Sequence, residues 1–435
     1  MTGRDTPRPL RPAIVLAGRR WILTAAAIAG ALALAGAVRQ HAPAAEGPAP
    51  APPFATAAIA ARESRLTDRF QLAGPAAVRL LDGTPQVLRY DARVSDRPGW
   101  QEWQLVRSAW QPTPGRWRDH PLFSAAGLHD PPVTALSTSG RTLAVVDQPP
   151  IGDRAASVGR VMLLPQATTL PGSFTVAGWH VDALAVVDGL PGQSRLLGLV
   201  EEQNRADHGG AYRWRLVRYG LDGRWSTLGS GPIRPLVEIG PQVGVAYAAT
   251  RIVVTWRQPA EDEDDIGSTA GAYLEDGRWH AIQQPGEGIV VDEPPGGSSL
   301  VSTPTGAVHV VLRHVTDGRL QPAVLAGDRW RPNGSPLGPP AGSSAACAMA
   351  ATDRGVEVAA LTQLHGETSL ALYGLEGASW RRLASVRDPG PRAQPAILPG
   401  GCLISPGGGR VFYLRLGPAA AGDHEQLMLA SAAGR

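Results

Sequence analysis

Acidic residues and histidines gather in a few short segments of this 435-residue chain, and they are the residues that could do chemistry. The densest segment is the run Glu261, Asp262, Glu263, Asp264 and Asp265. The other members of the set are Glu201, Glu202, Asp207, His208, His314 and His365. Carboxylate oxygens are the ligands that Ca²⁺ prefers, and imidazole nitrogens favour transition metals. Two carboxylates at a suitable separation could also cleave a glycosidic bond as acid and base.

No established catalytic or metal-binding motif includes these residues. The sequence contains no Gly-x-Ser-x-Gly, no His-Glu-x-x-His and no phosphate-binding glycine loop. The run 261–265 lacks the alternating aspartates and the turn glycine of an EF-hand loop. Runs of like charge are most often solvated loops. Ion binding and plain solvation are therefore both open interpretations of the set.

A repeated tryptophan motif indicates which elements must position these segments. Asp222-Gly223-Arg224-Trp225 returns as Asp276-Gly277-Arg278-Trp279, and looser copies end at three other tryptophans. The tryptophans of the motif are Trp117, Trp225, Trp279, Trp330 and Trp380. The last four are 54, 51 and 50 residues apart, and a period near 50 residues is typical of radial β-sheet arrays. Each indole is predicted to cover the gap between neighbouring sheets.

Each repeat also contains a β-hairpin. Alternating segments such as 308–312 predict strands, and glycine-bearing turns separate the paired strands. Seven such hairpins, each followed by two more strands, predict an all-β fold, a seven-bladed β-propeller of four-stranded antiparallel blades with strands A to D. The seventh repeat lacks strand D. Residues 64–70 are predicted to supply it, which would remove two open sheet edges.

The predicted strand order sorts the loops onto two faces. The A–B and C–D turns share one face, named here the C–D face, and the B–C and D–A loops share the other. The B–C loops carry sixteen acidic residues against five arginines, a net charge of −11. The sixteen are Asp91, Asp96, Asp147, Asp153, Glu201, Glu202, Asp207, Glu261, Asp262, Glu263, Asp264, Asp265, Asp317, Glu367, Asp423 and Glu425. We name this side the acidic face and expect it to bind a cation or a basic partner.

The N-terminus predicts export or anchoring. Residues 1–20 form a basic cytoplasmic segment or signal n-region, and residues 21–38 are an uncharged run just long enough to span a bilayer. The same run fits a cleaved signal peptide, and Arg19-Arg20 resembles a twin-arginine export motif. Residues 39–61 are predicted to be an Ala/Pro linker, and residues 62–435 the propeller. The body would be membrane-anchored and periplasmic or at the cell surface, or secreted after cleavage.

The two cysteines are one repeat apart in the sequence. Cys347 and Cys402 are separated by 55 residues, and each lies near the start of a predicted inner strand. They could form a disulfide between neighbouring blades in an oxidising compartment. They could equally be two small buried apolar residues.

The repeats resemble the β-propeller superfamily over most of the region after residue 62. The Asp-Gly-x-Trp turn resembles the Asp-box of sialidases, which occupies the same C–D turn, and the repeat length is similar to that of kelch proteins. The resemblance implies a propeller fold and no particular family, activity or site residue.

The function predicted from these observations is binding. We expect a monomeric propeller that presents its acidic face to a protein or glycan partner. The alternative is an extracytoplasmic glycan-acting hydrolase or lyase with its acid and base on the same face. A third interpretation is a structural module that bound Ca²⁺ stabilises. No other cofactor is predicted. Nucleic acid is not expected, because residues 1–44 carry a net +5 and leave −2 for the remainder.

Overall fold

The described part of the chain folds entirely as β-strands and their connections in this computed structural model. The structure describes residues 54–63, 71–81, 84–94, 96, 101–111, 116–128, 133–136, 143–147, 160–164, 168–169, 179–186, 196–202, 212–219, 224–233, 243–248, 250–258, 268–286, 288–292, 300–338, 343–364, 367–387, 402–416 and 424–432. Within these ranges no helix is long and apolar enough to cross a bilayer. All the described strands belong to the compact unit Ala51–Arg435. The unit Met1–Pro50, with the predicted segments 1–20 and 21–38, lies outside the described residues.

The described strands form seven antiparallel sheets. The first strand, β1 (Phe54–Glu63), belongs to the last sheet. Sheet 1 contains β2 (Gln71–Leu81), β3 (Thr84–Val94), β4 (Gln101–Gln111) and β5 (Arg116–Leu128). Sheet 2 contains β6 (Val133–Leu136), β7 (Leu143–Asp147), β8 (Arg160–Leu164) and β9 (Thr168–Thr169). Sheet 3 contains β10 (Trp179–Val186), β11 (Leu196–Glu202), β12 (Tyr212–Tyr219) and β13 (Trp225–Ile233). Sheet 4 contains β14 (Val243–Ala248), β15 (Arg251–Gln258), β16 (Ser268–Glu275) and β17 (Arg278–Ile282).

The remaining sheets follow the same plan. Sheet 5 contains β18 (Ile289–Val291), β19 (Val301–Ser302), β20 (Val308–His314), β21 (Leu320–Ala326) and β22 (Arg329–Pro332). Sheet 6 contains β23 (Ser343–Thr352), β24 (Gly355–Leu364), β25 (Glu367–Glu376) and β26 (Ser379–Arg387). Sheet 7 contains β27 (Leu403–Ile404), β28 (Arg410–Leu416) and β29 (His424–Ala432), with β1 beside β29. The predicted all-β, propeller-type fold is confirmed by this repeated strand order.

The outer strand of sheet 7 comes from the N-terminal side of the chain. Strand β1 pairs antiparallel with β29, from Phe54 opposite Ala432 to Glu63 opposite His424. The prediction that residues 64–70 supply this strand is wrong, and those residues lie outside the described ranges. Residues 54–61, predicted as the end of the linker, are instead part of β1. Backbone hydrogen bonds to the open edge of β29 outweigh the low strand propensity of this alanine-rich segment.

The inner strand of sheet 5 is in two pieces. Both β18 and β19 pair with β20, with Ile289 opposite His314 and Val301 opposite His309. The sequence predicted only the piece near residue 300, because three residues of β18 are too few to show a periodic pattern.

The C–D turns of sheets 4, 5 and 6 are two-residue hairpin loops of two kinds. Asp276 and Gly277 both have positive φ angles, 50° and 74°, a combination typical of the type I′ turn. In the looser motif copies the glycine comes first, and Gly327 and Gly377 each have a φ of 64°. A left-handed first residue followed by an ordinary second residue is typical of the type II′ turn. Turns with Asp-Gly and turns with Gly-x therefore differ in type, but both have two loop residues.

Apolar side chains fill the seams between consecutive sheets. Described clusters join sheets 3 and 4, 4 and 5, 5 and 6, and 6 and 7. Another cluster joins Val87 of sheet 1 to Phe412 and Leu427 of sheet 7. The first and last sheets are therefore neighbours in the fold.

Two of the motif tryptophans bond to the backbone of the preceding sheet. The Nε1 of Trp279 on β17 donates to the carbonyl of Leu228 on β13 at 3.2 Å. The Nε1 of Trp380 on β26 donates to the carbonyl of Asn333, just after β22, at 2.6 Å. A Cβ atom at Gly229 would overlap the ring of Trp279. The other motif tryptophans, Trp117, Trp225 and Trp330, also lie within the first two residues of an outer strand.

The cysteines cross-link the inner strands of sheets 6 and 7. Cys347 on β23 and Cys402, just before β27, form a disulfide with their Cα atoms 5.3 Å apart. Both are fully buried in the cluster between the two sheets. The sequence left open a disulfide or two buried free cysteines, and the structure shows the disulfide.

We predict that Gly229→Ala destabilises the protein by about 1–3 kcal/mol, because the added methyl group collides with the indole of Trp279. Chemical unfolding would measure the change. Ser226→Ala, at an exposed position of the same strand, is the control and should shift stability by no more than about 0.5 kcal/mol. In a Trp279→Leu background, Gly229→Ala should cost less than it does in the natural chain, because the ring that collides with the methyl group is gone. Equal stability of Gly229→Ala and the natural chain would contradict the close packing of this seam.

Candidate functional site

Of the eleven candidate acidic residues and histidines predicted from the sequence, three fall within the described ranges. Glu201 and Glu202 are the last two residues of β11, opposite Trp214 and Arg213 of β12. His314 is the last residue of β20. All three lie at the ends of B strands and therefore on the same face. Asp207, His208, the run 261–265 and His365 lie outside the described residues, although β15 ends at residue 258 and β16 begins at residue 268, on either side of the run.

The B–C turn of sheet 5 uses its own charges internally. The amide of His314 donates to the carbonyl of Arg319 at 3.0 Å, and the amide of Gly318 donates to the carbonyl of His314 at 2.8 Å. An Oδ1 atom of Asp317 accepts the amide of Arg319 at 3.0 Å, and the Arg319 guanidinium lies 3.6 Å from its Oδ2. Both side chains of this ion pair are 45% exposed, so it contributes little to stability. It does reduce the negative charge that this turn presents.

Asp91 does not belong to the acidic face, and the prediction that placed it in a B–C loop is wrong. It lies inside β3, two residues from Arg89, so both side chains project from the same side of the strand. Both are buried. Nε and Nη2 of Arg89 donate to Asp91 at 2.8 and 3.1 Å. The alternation of the strand brings the two side chains together.

Arg89 also reaches across the sheet to β4 and β5. Its Nη1 and Nη2 donate to the two carboxylate oxygens of Asp119 at 2.9 and 2.8 Å. Nη1 donates to Ser108 as well, and the Ser108 hydroxyl donates to Asp119 at 2.7 Å. All five N–H donors of the guanidinium are therefore used within the sheet. The cluster braces strands B, C and D and has no donor left for a ligand.

The two carboxylates of this cluster have opposite pKa shifts. Burial raises the pKa of Asp91, and its bonds to Arg89 only partly offset that effect. The bond from Arg89 is the main reason that the pKa of Asp119 is lowered. Burial on its own lowers the pKa of Arg89, but the bonds to Asp119 and Asp91 outweigh it and raise the pKa, so the guanidinium stays charged. The cluster is a fixed set of charges at neutral pH.

Two other buried carboxylates connect neighbouring sheets. Asp292, just after β18, accepts the amide of Ala346 on β23 and forms an ion pair with Arg313 at 3.2 Å. Glu357 on β24 accepts the amide of Gly409 at 3.1 and 2.9 Å through its two oxygens. These bonds join sheet 5 to sheet 6 and sheet 6 to sheet 7. Breaking either would leave a buried charge without its partner, which is costly.

His309 is a buried histidine. It lies on β20, and its Nδ1 has no hydrogen-bond partner among the described residues. Burial lowers its pKa, so the imidazole is neutral. Val311, two residues along the strand, packs against sheet 6, and the alternation of the strand places His309 on the same side. His309 therefore lies between sheets 5 and 6. It is near the start of β20, at the end of the strand opposite to the B–C turn.

The described residues hold no group of three or more histidines, cysteines or carboxylates arranged to bind a metal ion. The polar clusters that the structure does contain, around Arg89, Asp292 and Glu357, were not predicted as a site. Their only sequence signal is a charged residue inside an otherwise apolar strand, such as Glu357 within β24. That pattern predicts a buried polar contact but not its partner, which comes from a strand distant in sequence.

Comparisons with known proteins return only distant structural similarity. No protein-family model matches the sequence, and no curated protein is similar to it. The chain is similar to the β-propeller domain of the Trilobed protease from Pyrococcus furiosus, with 10% identity, a TM-score of 0.48 and coverage of 84% of this chain and 97% of that one. The chain is also similar to the Pyrococcus horikoshii acylaminoacyl peptidase, with 10% identity and a TM-score of 0.48. The match covers 83% of this chain and 52% of the peptidase, so this chain spans about half of that protein. A third similar structure is an ulvan lyase, which is a polysaccharide lyase, with 9% identity and a TM-score of 0.45. That match covers 85% of this chain and 96% of the lyase.

The Arg89 cluster predicts opposite pH trends for two variants. Asp119 stabilises the folded state above its unfolded pKa, near 3.8, and that contribution disappears as pH falls toward its lower folded pKa. Asp119→Asn should therefore cost roughly 1–2 kcal/mol at neutral pH, since the side chain is half exposed, and the deficit should shrink in acid.

Asp91→Asn should show the reverse trend. The charged Asp91 disfavours folding above its raised folded pKa, and the natural chain loses that penalty as pH falls. The stability of Asp91→Asn relative to the natural chain should therefore decline in acid. Urea unfolding at neutral pH and near pH 3, below the unfolded pKa of both carboxyls, measures both trends. Deficits that change in the same direction for the two variants would contradict the assignment.

Proposed function

We propose that the seven sheets are the blades of one closed ring, with β1 as the outer strand of the last blade, and that this body is an extracytoplasmic binding module acting through its acidic face. The contact between sheets 1 and 7 and the pairing of β1 with β29 support closure. The uncharged run 21–38 after a basic segment supports export, either with an anchor retained or with a signal removed.

The observation that carries this proposal is the unequal charge of the two faces. The B–C loops have a large excess of acidic residues, whereas the C–D turns combine arginines with acidic residues such as Asp222, Asp276 and Asp328 and have no such excess. Like charges on one side of a folded body create a field that attracts and orients an oppositely charged partner. The partner class is therefore a cationic protein segment or a cation, received where strands B end.

Binding is favoured over catalysis because the buried polar groups of the described body are engaged in structural contacts. Arg89, Asp292 and Glu357 all hold strands or sheets together through bonds at 3.2 Å or less. Catalytic acids and bases need a free proton-transfer position within reach of a substrate. The guanidinium of Arg89 has no such freedom, because each of its donors is bonded.

Neutralising the acidic run tests the proposal. The variant Glu261→Gln, Asp262→Asn, Glu263→Gln, Asp264→Asn, Asp265→Asn removes five of the fifteen acidic residues that remain on the predicted acidic face without Asp91. A fluorescent oligoarginine peptide serves as the cationic probe, and anisotropy gives its Kd at several salt concentrations. We expect the natural chain to bind in a salt-sensitive manner and the variant to bind at least about tenfold more weakly.

A control on the other face removes three acidic charges. Asp328→Asn, Asp353→Asn and Glu376→Gln change exposed residues of the A–B and C–D turns and should leave peptide binding unchanged. A parallel melting experiment with Ca²⁺ or a chelator separates the two partner classes, because an ion bound only by the folded state raises the melting temperature. Unchanged peptide affinity and no Ca²⁺ effect in the natural chain would together eliminate the proposal.

A further inference from the structure

The C–D face carries a set of exposed arginines that no described acidic residue neutralises. Arg116, Arg118, Arg278, Arg331 and Arg382 are exposed and lie within the first four residues of outer strands in four different sheets. None of them forms an ion pair with another described residue. Four of the five, all except Arg382, lie directly beside a motif tryptophan, and strand alternation puts their side chains on the opposite side from the indole that packs in the seam.

An exposed tryptophan lies on the same face. Among the residues whose burial the structure describes, Trp110 and Val94 are the two exposed large apolar side chains, with 37% and 50% of their surface accessible. Trp110 is opposite Trp117 near the C–D turn of sheet 1, and the two rings stack edge to face at 5.7 Å. Arg116 and Arg118 flank Trp117 on β5. Arginine with partly exposed indole is the combination found where proteins meet the interface of a lipid bilayer.

The chain also enters the propeller at this face. Phe54, the first residue of β1, pairs with Ala432, and the amide of Ala432 donates to the carbonyl of Gly409 in the A–B turn of sheet 7 at 2.9 Å. The A–B turns share the C–D face. Phe54, where β1 begins, therefore lies on the arginine side.

We propose that the C–D face docks on an anionic phospholipid surface, with the arginines at the headgroups and Trp110 at the boundary with the acyl chains. The proposal rests on the face assignment of the proposed ring and is separate from the partner of the acidic face. Anionic headgroups supply the opposite charge, and the point of chain entry makes this face the one that a membrane anchor would hold near the bilayer. The acidic face would then point away from a surface that repels it.

Vesicle binding tests the proposal with the chain from Ala51 to Arg435, which contains every described strand and forms one compact unit. Co-sedimentation would compare phosphatidylglycerol-containing vesicles with pure phosphatidylcholine vesicles. We expect salt-sensitive binding to the anionic vesicles alone. The triple variant Arg116→Gln, Arg118→Gln, Arg278→Gln should bind them roughly a hundredfold more weakly, because each arginine near an anionic surface strengthens binding severalfold.

Two further variants distinguish an effect of the C–D face from an effect of the protein's net charge. Arg97→Gln, Arg154→Gln, Arg205→Gln removes the same charge from the predicted B–C loops and should leave vesicle binding unchanged or nearly so. Trp110→Ala should weaken binding without changing its salt dependence. Equal losses in the two triple variants, equal binding to both vesicle types, or binding of dextran sulfate in solution without vesicle binding would each overturn the proposal. Unchanged melting temperatures confirm that the variants are folded, and the oligoarginine assay reports independently on the acidic face.

Discussion

The antiparallel pairing of β1 with β29 is the interaction on which the rest of this structure depends. Sheet 7 draws three strands from the C-terminal end of the chain and its outer strand from the beginning. Without β1, the edge of β29 would expose a row of unpaired amides and carbonyls, which invites aggregation. The same pairing fixes where the chain enters the body. It therefore links the fold to the distinction between the two faces.

The seams between sheets are held by packing first and by directed polar bonds second. Apolar clusters fill the seams, and their burial is the main source of stability. The indole of Trp279, the carboxylate of Glu357 and the disulfide between Cys347 and Cys402 then fix how one sheet sits on the next. Buried charges are weak evidence for stability on their own, but a misplaced neighbour would leave them unpaired. They consequently favour one register over alternatives.

The sequence predicts the repeated elements well and the long-range contacts poorly. The Trp279 and Trp380 copies of the motif mark outer strands because a two-residue turn and a flat side chain have local signatures. The closing strand has no such signature. Residues 54–63 are rich in alanine and read as linker, and only the open edge of a strand more than 360 residues away makes them β-structure.

The candidate site shows the same division between local and long-range information. Asp91 looked like a loop acid because strand ends are uncertain by a few residues, and its partner Asp119 lies two strands away. The charge excess of the acidic face, in contrast, follows from composition and strand order alone. Gly229 is the clearest missed constraint, because a glycine in a strand gives no sign of the ring from the next sheet that fills its space.

The pairing of β1 with β29 fixes the point of chain entry and supports the proposed closed ring, and cross-linking measures this pairing directly. Ala55 is opposite Ser431 in the paired strands. The double variant Ala55→Cys, Ser431→Cys should form a second disulfide under mild oxidation, identified by peptide mapping beside the native 347–402 bond. Ala55→Cys with Ser379→Cys, on the outer strand of sheet 6, should not. If the native disulfide forms and the 55–431 bond does not, the pairing of the first and last strands is contradicted.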